Sequence, residues 1–315
     1  MSAQSDVGNA PAADAVQQRF EAALTRLVEH LERDEAVIAA MLCGSLSHSQ
    51  VWRKSDIDLI IVTVDDAKKV SEKGIALAEN DVNIHASVMR RESFRKLVES
   101  SRRNSFSHSY VALGRLLFSK DPALERLLDG IDEIGAADRQ LRLLELLGWV
   151  LPCLDKARKW LEVKRDVHYT ALYVLQAASG LAGIEVTLAS ELAGREVLHQ
   201  ALRLNPQFFQ AVYLDVIGRR PTEKRLAETL RLIDEYLLDR QAALFGPVLE
   251  YLVEAEVAQS ASEIEHHFAR THGVEGVLSV FEWLADHGII AKSAVPCKVS
   301  ARSSAQVQEL AFRPR

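Results

Sequence analysis

The tightest constraint on this chain is the stretch from Cys43 to Val62. An apolar run, residues 36–42, leads into Gly44-Ser45, a polar loop of ten residues follows, and Asp56-Ile57-Asp58 then opens a second apolar run, residues 59–64. The two runs read as strands, and alternate side chains on a strand share a face, so Asp56 and Asp58 point the same way. Two carboxylates on one face repel each other unless a cation lies between them. Mg²⁺ binds carboxylate oxygens and substrate phosphates together, and paired ions can clamp the attacking and leaving oxygens of a phosphoryl displacement. Gly44 lets backbone approach a phosphate closely, and Ser45 adds a hydroxyl and an N–H there. In the loop, His48, Arg53 and Lys54 can reach a triphosphate, though each also reads as part of a solvated polar loop. The pattern predicts a metal-assisted nucleotide site: Asp56 and Asp58 as metal ligands and catalytic carboxylates, and Gly44, Ser45, His48, Arg53 and Lys54 as nucleotide-binding residues.

Gly-Ser, ten residues, then Asp-hydrophobic-Asp resembles the signature of the nucleotidyltransferase superfamily with the DNA polymerase beta-like fold, which includes the aminoglycoside and lincosamide nucleotidyltransferases. The resemblance implies an α/β N-terminal domain, residues 13–134, with a mixed sheet and flanking helices. It also implies a nucleoside triphosphate donor, Mg²⁺, and transfer of a nucleoside monophosphate to a hydroxyl acceptor. Active members usually carry a third carboxylate on the neighbouring strand, completing a second metal site and serving as base. Residues 82–88 alternate apolar and polar and predict that strand. Its polar face is Asn83, His85 and Ser87, with Asp81 of the same parity at its start. Three readings stay open. Asp81 takes the role from a shifted position; His85 replaces it as base, since an imidazole titrates near neutral pH; or the second metal site is absent.

The 315 residues suit two or three domains. A formal net charge of −6 argues against a chain that coats nucleic acid as a whole. Cys43, Cys153 and Cys297 are odd in number and far apart, which fits reduced thiols in a cytoplasmic protein. No run of about 18 apolar residues suggests a membrane span. Residues 1–12 have neither a basic start nor an apolar core and read as a disordered tail.

The rest of the first domain reads as a helix over 13–33, an edge strand over 75–78, a helix over 92–103, a polar, aromatic stretch over 105–110 that is a connector or borders the nucleotide pocket, a strand over 114–119, and a helix to Leu128 capped by Asp121-Pro122. Residues 135–240 turn wholly helical, with a kink at Pro152, helices over 166–181, 183–192 and 222–238, and one starting at Asn205-Pro206. Glu185 and Glu191 are candidates there for a second carboxylate base.

Residues 241–315 read as a small winged-helix-like α+β domain. It has a helix over 247–253, a Ser260/Glu263 capping box, helices over 263–271 and 274–286, and strands over 289–292 and 306–312. From 291 onward, Lys292, Lys298, Arg302, Arg313 and Arg315 face only Glu309, a balance that can contact phosphate. The 274–286 helix, however, carries Glu275, Glu282 and Asp286 and no Lys or Arg, whereas a helix reading DNA presents basic or amide side chains. A packing or homodimerisation module is favoured over nucleic-acid contact. Two function classes follow. One is a Mg²⁺-dependent nucleotidyltransferase. The other is a catalytically impaired relative acting as a nucleotide-binding sensor or as a regulator that binds a partner or nucleic acid.

Overall fold

The computed structural model describes residues 10–44, 55–66, 71–100, 106–300, 302 and 304–315. The chain divides into two compact units, Met1–Glu133 and Ile134–Arg315.

In the first unit, helix α1 (Ala10–Arg33) starts three residues ahead of the expected position. Five strands follow: β1 (Val37–Cys43), β2 (Ile57–Thr63), β3 (Lys73–Glu79), β4 (Val82–Arg90) and β5 (Arg115–Ser119). They form one mixed sheet in the order β3-β4-β2-β1-β5. Only the β2–β4 pairing is parallel. Burial explains the order. β1 and β2 are apolar on both faces and take interior positions, while β4 alternates buried and exposed and β3 is largely exposed at the edge. On one face Phe20, Ala23 and Leu24 of α1 pack on Leu42, Ile57, Leu59 and Ile84. Each such fully buried large side chain contributes roughly 1.5–3 kcal/mol. On the other face Met41, Ile60 and Val62 lie with Phe94 and Val98 of α2 (Arg91–Ser100), Val111 of α3 (Phe106–Ala112) and Leu124 of α4 (Pro122–Leu128). Asp121 caps α4, accepting from the Ala123 N–H, with Pro122 in the first turn.

The expected connector over 105–110 is mostly helix. His108 and Ser109 of α3 are buried, and the His108 imidazole is hydrogen-bonded to the Ile131 carbonyl.

The second unit is built on two long helices, α5 (Ala136–Glu162) and α6 (Val167–Leu188). Pro152 lies inside α5 without ending it. The two helices expected over 166–192 are one: a Cβ on Gly180 would stand 2.5 Å from Val150 Cγ2, and one on Gly183 would stand 3.1 Å from Leu146. These glycines let α6 press against α5 and do not interrupt it. By length and composition α6 could cross a membrane, but more than half of it is buried within the unit, as in a core helix of a globular fold. There follow α7 (Val197–Leu204), α8 (Pro206–Phe209), a π-helical turn (Gln210–Leu214), α9 (Asp215–Gly218) and α10 (Glu223–Asp239).

Next come α11 (Gln241–Ala255), β6 (Gln259–Ser260), α12 (Ala261–His272), α13 (Leu278–Asp286), β7 (Ile290–Lys298) and β8 (Gln306–Pro314). The strands form a small antiparallel sheet, β6-β8-β7. The Ser260/Glu263 capping box is formed. The helical and strand-containing parts, expected from the sequence as separate domains, share one core that includes Leu144, Leu147, Phe245, Phe268, Phe281 and Phe312. Trp283 is buried in it, stacked on Phe245 at 5.1 Å.

Candidate active site

β1 and β2 pair antiparallel, with Cys43 opposite Asp58. β2 and β4 run parallel, with Asp58 opposite His85. Cys43, Asp58 and His85 therefore form one row across three strands on a single face. Asp56 immediately precedes β2, two residues before Asp58, and its Oδ2 is 3.8 Å from His85 Nδ1. The His85 side chain is 58% exposed and that of Asp56 34%. Both carboxylates thus share a face, as the alternation predicts, and the imidazole stands beside them.

Gly44 follows β1 directly, with φ +70°. A Cβ there would fall 2.2 Å from Asp58 Oδ2 and 3.0 Å from Asp58 Cγ. Any side chain at 44 would collide with the carboxylate as well as strain the backbone. The glycine thus has a use beyond close approach to a phosphate: it makes room for Asp58. Ser45, His48, Arg53 and Lys54 fall outside the described residues.

Behind Asp58 lies a pairing that the sequence reading missed. Tyr110 of α3, half-buried, donates its hydroxyl to the Cys43 sulfur. Burial and the Asp58 charge together push the Cys43 thiol up to about 12, and the Tyr110 hydrogen bond offsets only part of this. Burial, with Cys43 and Asp58 nearby, also pushes the Tyr110 hydroxyl well above its ordinary range. Cys43 is therefore a neutral thiol at physiological pH, and the floor under Asp58 is uncharged.

Asp81 is not brought to the carboxylates. It sits in the β3–β4 turn with Asn80, both with positive φ, 58° and 49°. The β2–β4 register begins with Ile57 opposite Ile84, and Asp81 lies ahead of β4 altogether. Glu185 and Glu191 are engaged inside the second unit. Glu185 accepts from the Tyr236 hydroxyl at 2.7 Å, and Glu191 pairs with Arg203.

Among the described residues no group of three or more His, Cys, Asp or Glu is placed to hold a metal ion by itself. Mg²⁺ does not need such a cage. It is usually held by one or two carboxylates, with substrate phosphates and water completing the shell. Asp56 and Asp58, on one partly open face, fit that donor set. The cavities of about 260 Å³ (beside Tyr251 and His267) and about 380 Å³ (beside Arg219 and Arg225) are formed by other residues, all of the second unit.

Residues 25–123 match the family model "Polymerase beta, Nucleotidyltransferase". The fold is similar to the crystal structure of a nucleotidyltransferase-like protein from Exiguobacterium sibiricum 255-15. The TM-score is 0.62 at 14% identity, covering 93% of this chain and 98% of that one. No curated protein matches the sequence. Over residues 25–123 the family match, with the mixed sheet and the paired carboxylates, supports a likeness of the N-terminal unit to the polymerase beta-like nucleotidyltransferase superfamily.

Proposed function

We propose that the chain binds a nucleoside triphosphate with Mg²⁺ at Asp56 and Asp58 and transfers the nucleoside monophosphate to a hydroxyl acceptor. The observation that carries this reading is the placement of both carboxylates on one face at the open start of β2, with Gly44 cleared for Asp58. Bound Mg²⁺ would neutralise phosphate charge and orient the triphosphate. Gly44 and Ser45 would cradle the phosphates, and His48, Arg53 and Lys54 would supply cationic contacts from the loop. The acceptor oxygen attacks the α-phosphorus, the bond to the bridging oxygen of the β-phosphate breaks, and pyrophosphate leaves. The hydroxyl proton passes to His85, the exposed base beside Asp56.

A second reading, a nucleotide sensor without turnover, is favoured by the same His85, which puts an imidazole and not an acid opposite Asp58 on the neighbouring strand. The C-terminal order of helix, strand, two helices and a β-hairpin suits a winged helix. Its third helix, α13, carries Glu282 and Asp286 and no basic residue, which suits packing or homodimerisation better than nucleic-acid reading. We place the protein in the cytoplasm, in keeping with three free cysteines.

The discriminating experiment is pyrophosphate release from each of the four NTPs with Mg²⁺, offered a panel of hydroxyl-bearing acceptors. Release that depends on an acceptor supports the transferase. Mg²⁺-dependent binding without release from any acceptor supports the sensor.

A further inference from the structure

Charge on the Asp56/Asp58 face limits how many cations it can hold. Two carboxylates carry two negative charges, enough for one divalent ion. A bound triphosphate adds charge of its own, but a second divalent ion a few ångströms from the first has to draw its protein ligands from this same face, where a further carboxylate would favour it. The strand flanking β2 on this side offers Asn83, His85 and Ser87, none of them anionic. On the other side, Asp58 faces Cys43, a buried cysteine and not an acid. The loop between Gly44 and Ser55 holds no Asp or Glu, and neither do residues 67–70 and 101–105. Near the start of β4, Asp81 is in the hairpin turn beyond Asn83, and Glu79, paired with Val82, has the opposite parity to Ala76 and Ala78, which pair with His85 and Asn83. His85 sits at the decisive position: opposite Asp58 in the ladder and 3.8 Å from Asp56.

We propose that this face holds one divalent cation, not two, when a nucleotide is bound, and that residue 85 sets that number. The inference rests on the metal–nucleotide reading of Asp56 and Asp58. It implies that the single ion serves the triphosphate, with the carboxylates, the phosphates and water making up its shell. Activation of an acceptor then falls to protein groups. Replacing the imidazole by a carboxylate adds the missing charge in a position already on the correct face.

The test is equilibrium dialysis of Mn²⁺ against the full chain, with free Mn²⁺ read by electron paramagnetic resonance. Each of the α,β-methylene analogues of ATP, GTP, CTP and UTP is used in turn, and the Mn²⁺ held by the chain is the excess of total Mn²⁺ in the protein chamber over the protein-free chamber at the same free analogue concentration. The wild type is expected to bind one Mn²⁺ per chain with at least one analogue, and His85→Asp two. His85 is exposed, so the variant should fold, and its melting curve checks this. Two Mn²⁺ on the wild type would overturn the inference. One on each would leave the metal–nucleotide reading standing but overturn the role of residue 85. None on the wild type with any analogue would overturn that reading and the inference with it.

Discussion

Gly44 and Gly180 are both positions where a Cβ has no room, but for different reasons. At Gly44 the missing side chain makes space for a carboxylate, 2.2 Å from where Cβ would be. At Gly180 it makes space for an apolar side chain, Val150 Cγ2, at 2.5 Å. The first lies at the end of a strand beside a half-open polar face; the second is fully inside a helix pair. The first glycine serves the geometry of a charged group, and the second serves packing density. A substitution at each should therefore fail in a different currency, binding at one and stability at the other.

The largest expected effect is on the carboxylates themselves. Asp58→Asn keeps the shape and removes the charge, and Mg²⁺-dependent nucleotide affinity should fall by about 100-fold or more, roughly 2.7 kcal/mol. Calorimetric titration at fixed Mg²⁺ reads it. Gly44→Ala should come next. Its Cβ forces the Asp58 carboxylate aside, so affinity should drop by about tenfold or more, with a lowered melting temperature from strain at positive φ. Gly180→Ala should reverse that pattern, with stability falling by roughly 1–3 kcal/mol in urea unfolding while nucleotide affinity is unchanged. If Gly180→Ala weakened nucleotide binding as much as Gly44→Ala, the separation of the two roles would be lost.

Smaller still is Tyr110→Phe, which removes the hydroxyl donated to Cys43 and should cost ~1 kcal/mol of stability. The smallest effect concerns thiol chemistry. The thiolate is the nucleophile, and Cys43 is buried with its thiol pushed up to about 12. At pH 8 iodoacetamide should label the half-exposed Cys297 and leave Cys43 unmodified, as read by peptide mass spectrometry. Cys43 should become reactive only on unfolding or as pH approaches 12.

Much of the N-terminal unit was legible because its signals are local. Apolar runs flanking a Gly-Ser and an Asp-x-Asp mark β1 and β2 to within a residue, and alternation marks β4. The parity argument placed Asp56 and Asp58 on one face and put His85 on the exposed side of its strand. What sequence could not supply was register. Only the β2–β4 pairing brings His85, and not Asp81, level with Asp58. Helix α3 was missed because its buried positions are His108 and Ser109 as well as Val111, so no apolar stripe at helical period marks it. The Tyr110 contact to Cys43 joins residues far apart in the chain, and nothing local announces it. In the second unit, Gly183 looked like a helix break because glycine weakens isolated helices. Its reason, Leu146 at 3.1 Å, exists only once α5 is packed against α6. The division at 240 follows the change from a wholly helical pattern to helices with strands, whereas the core runs through Leu144, Phe245 and Phe312 without interruption.

Every role assigned to the N-terminal face depends on Asp56 and Asp58 holding a metal–nucleotide complex. The most direct measurement is calorimetric titration of the full chain with each NTP, with and without Mg²⁺, for the wild type and Asp56→Ala in parallel. The expected result is Mg²⁺-dependent binding of at least one NTP by the wild type and its loss in Asp56→Ala, with matching melting curves showing both chains folded. Equal affinity in the two chains, or binding indifferent to Mg²⁺, would contradict the assignment of the site.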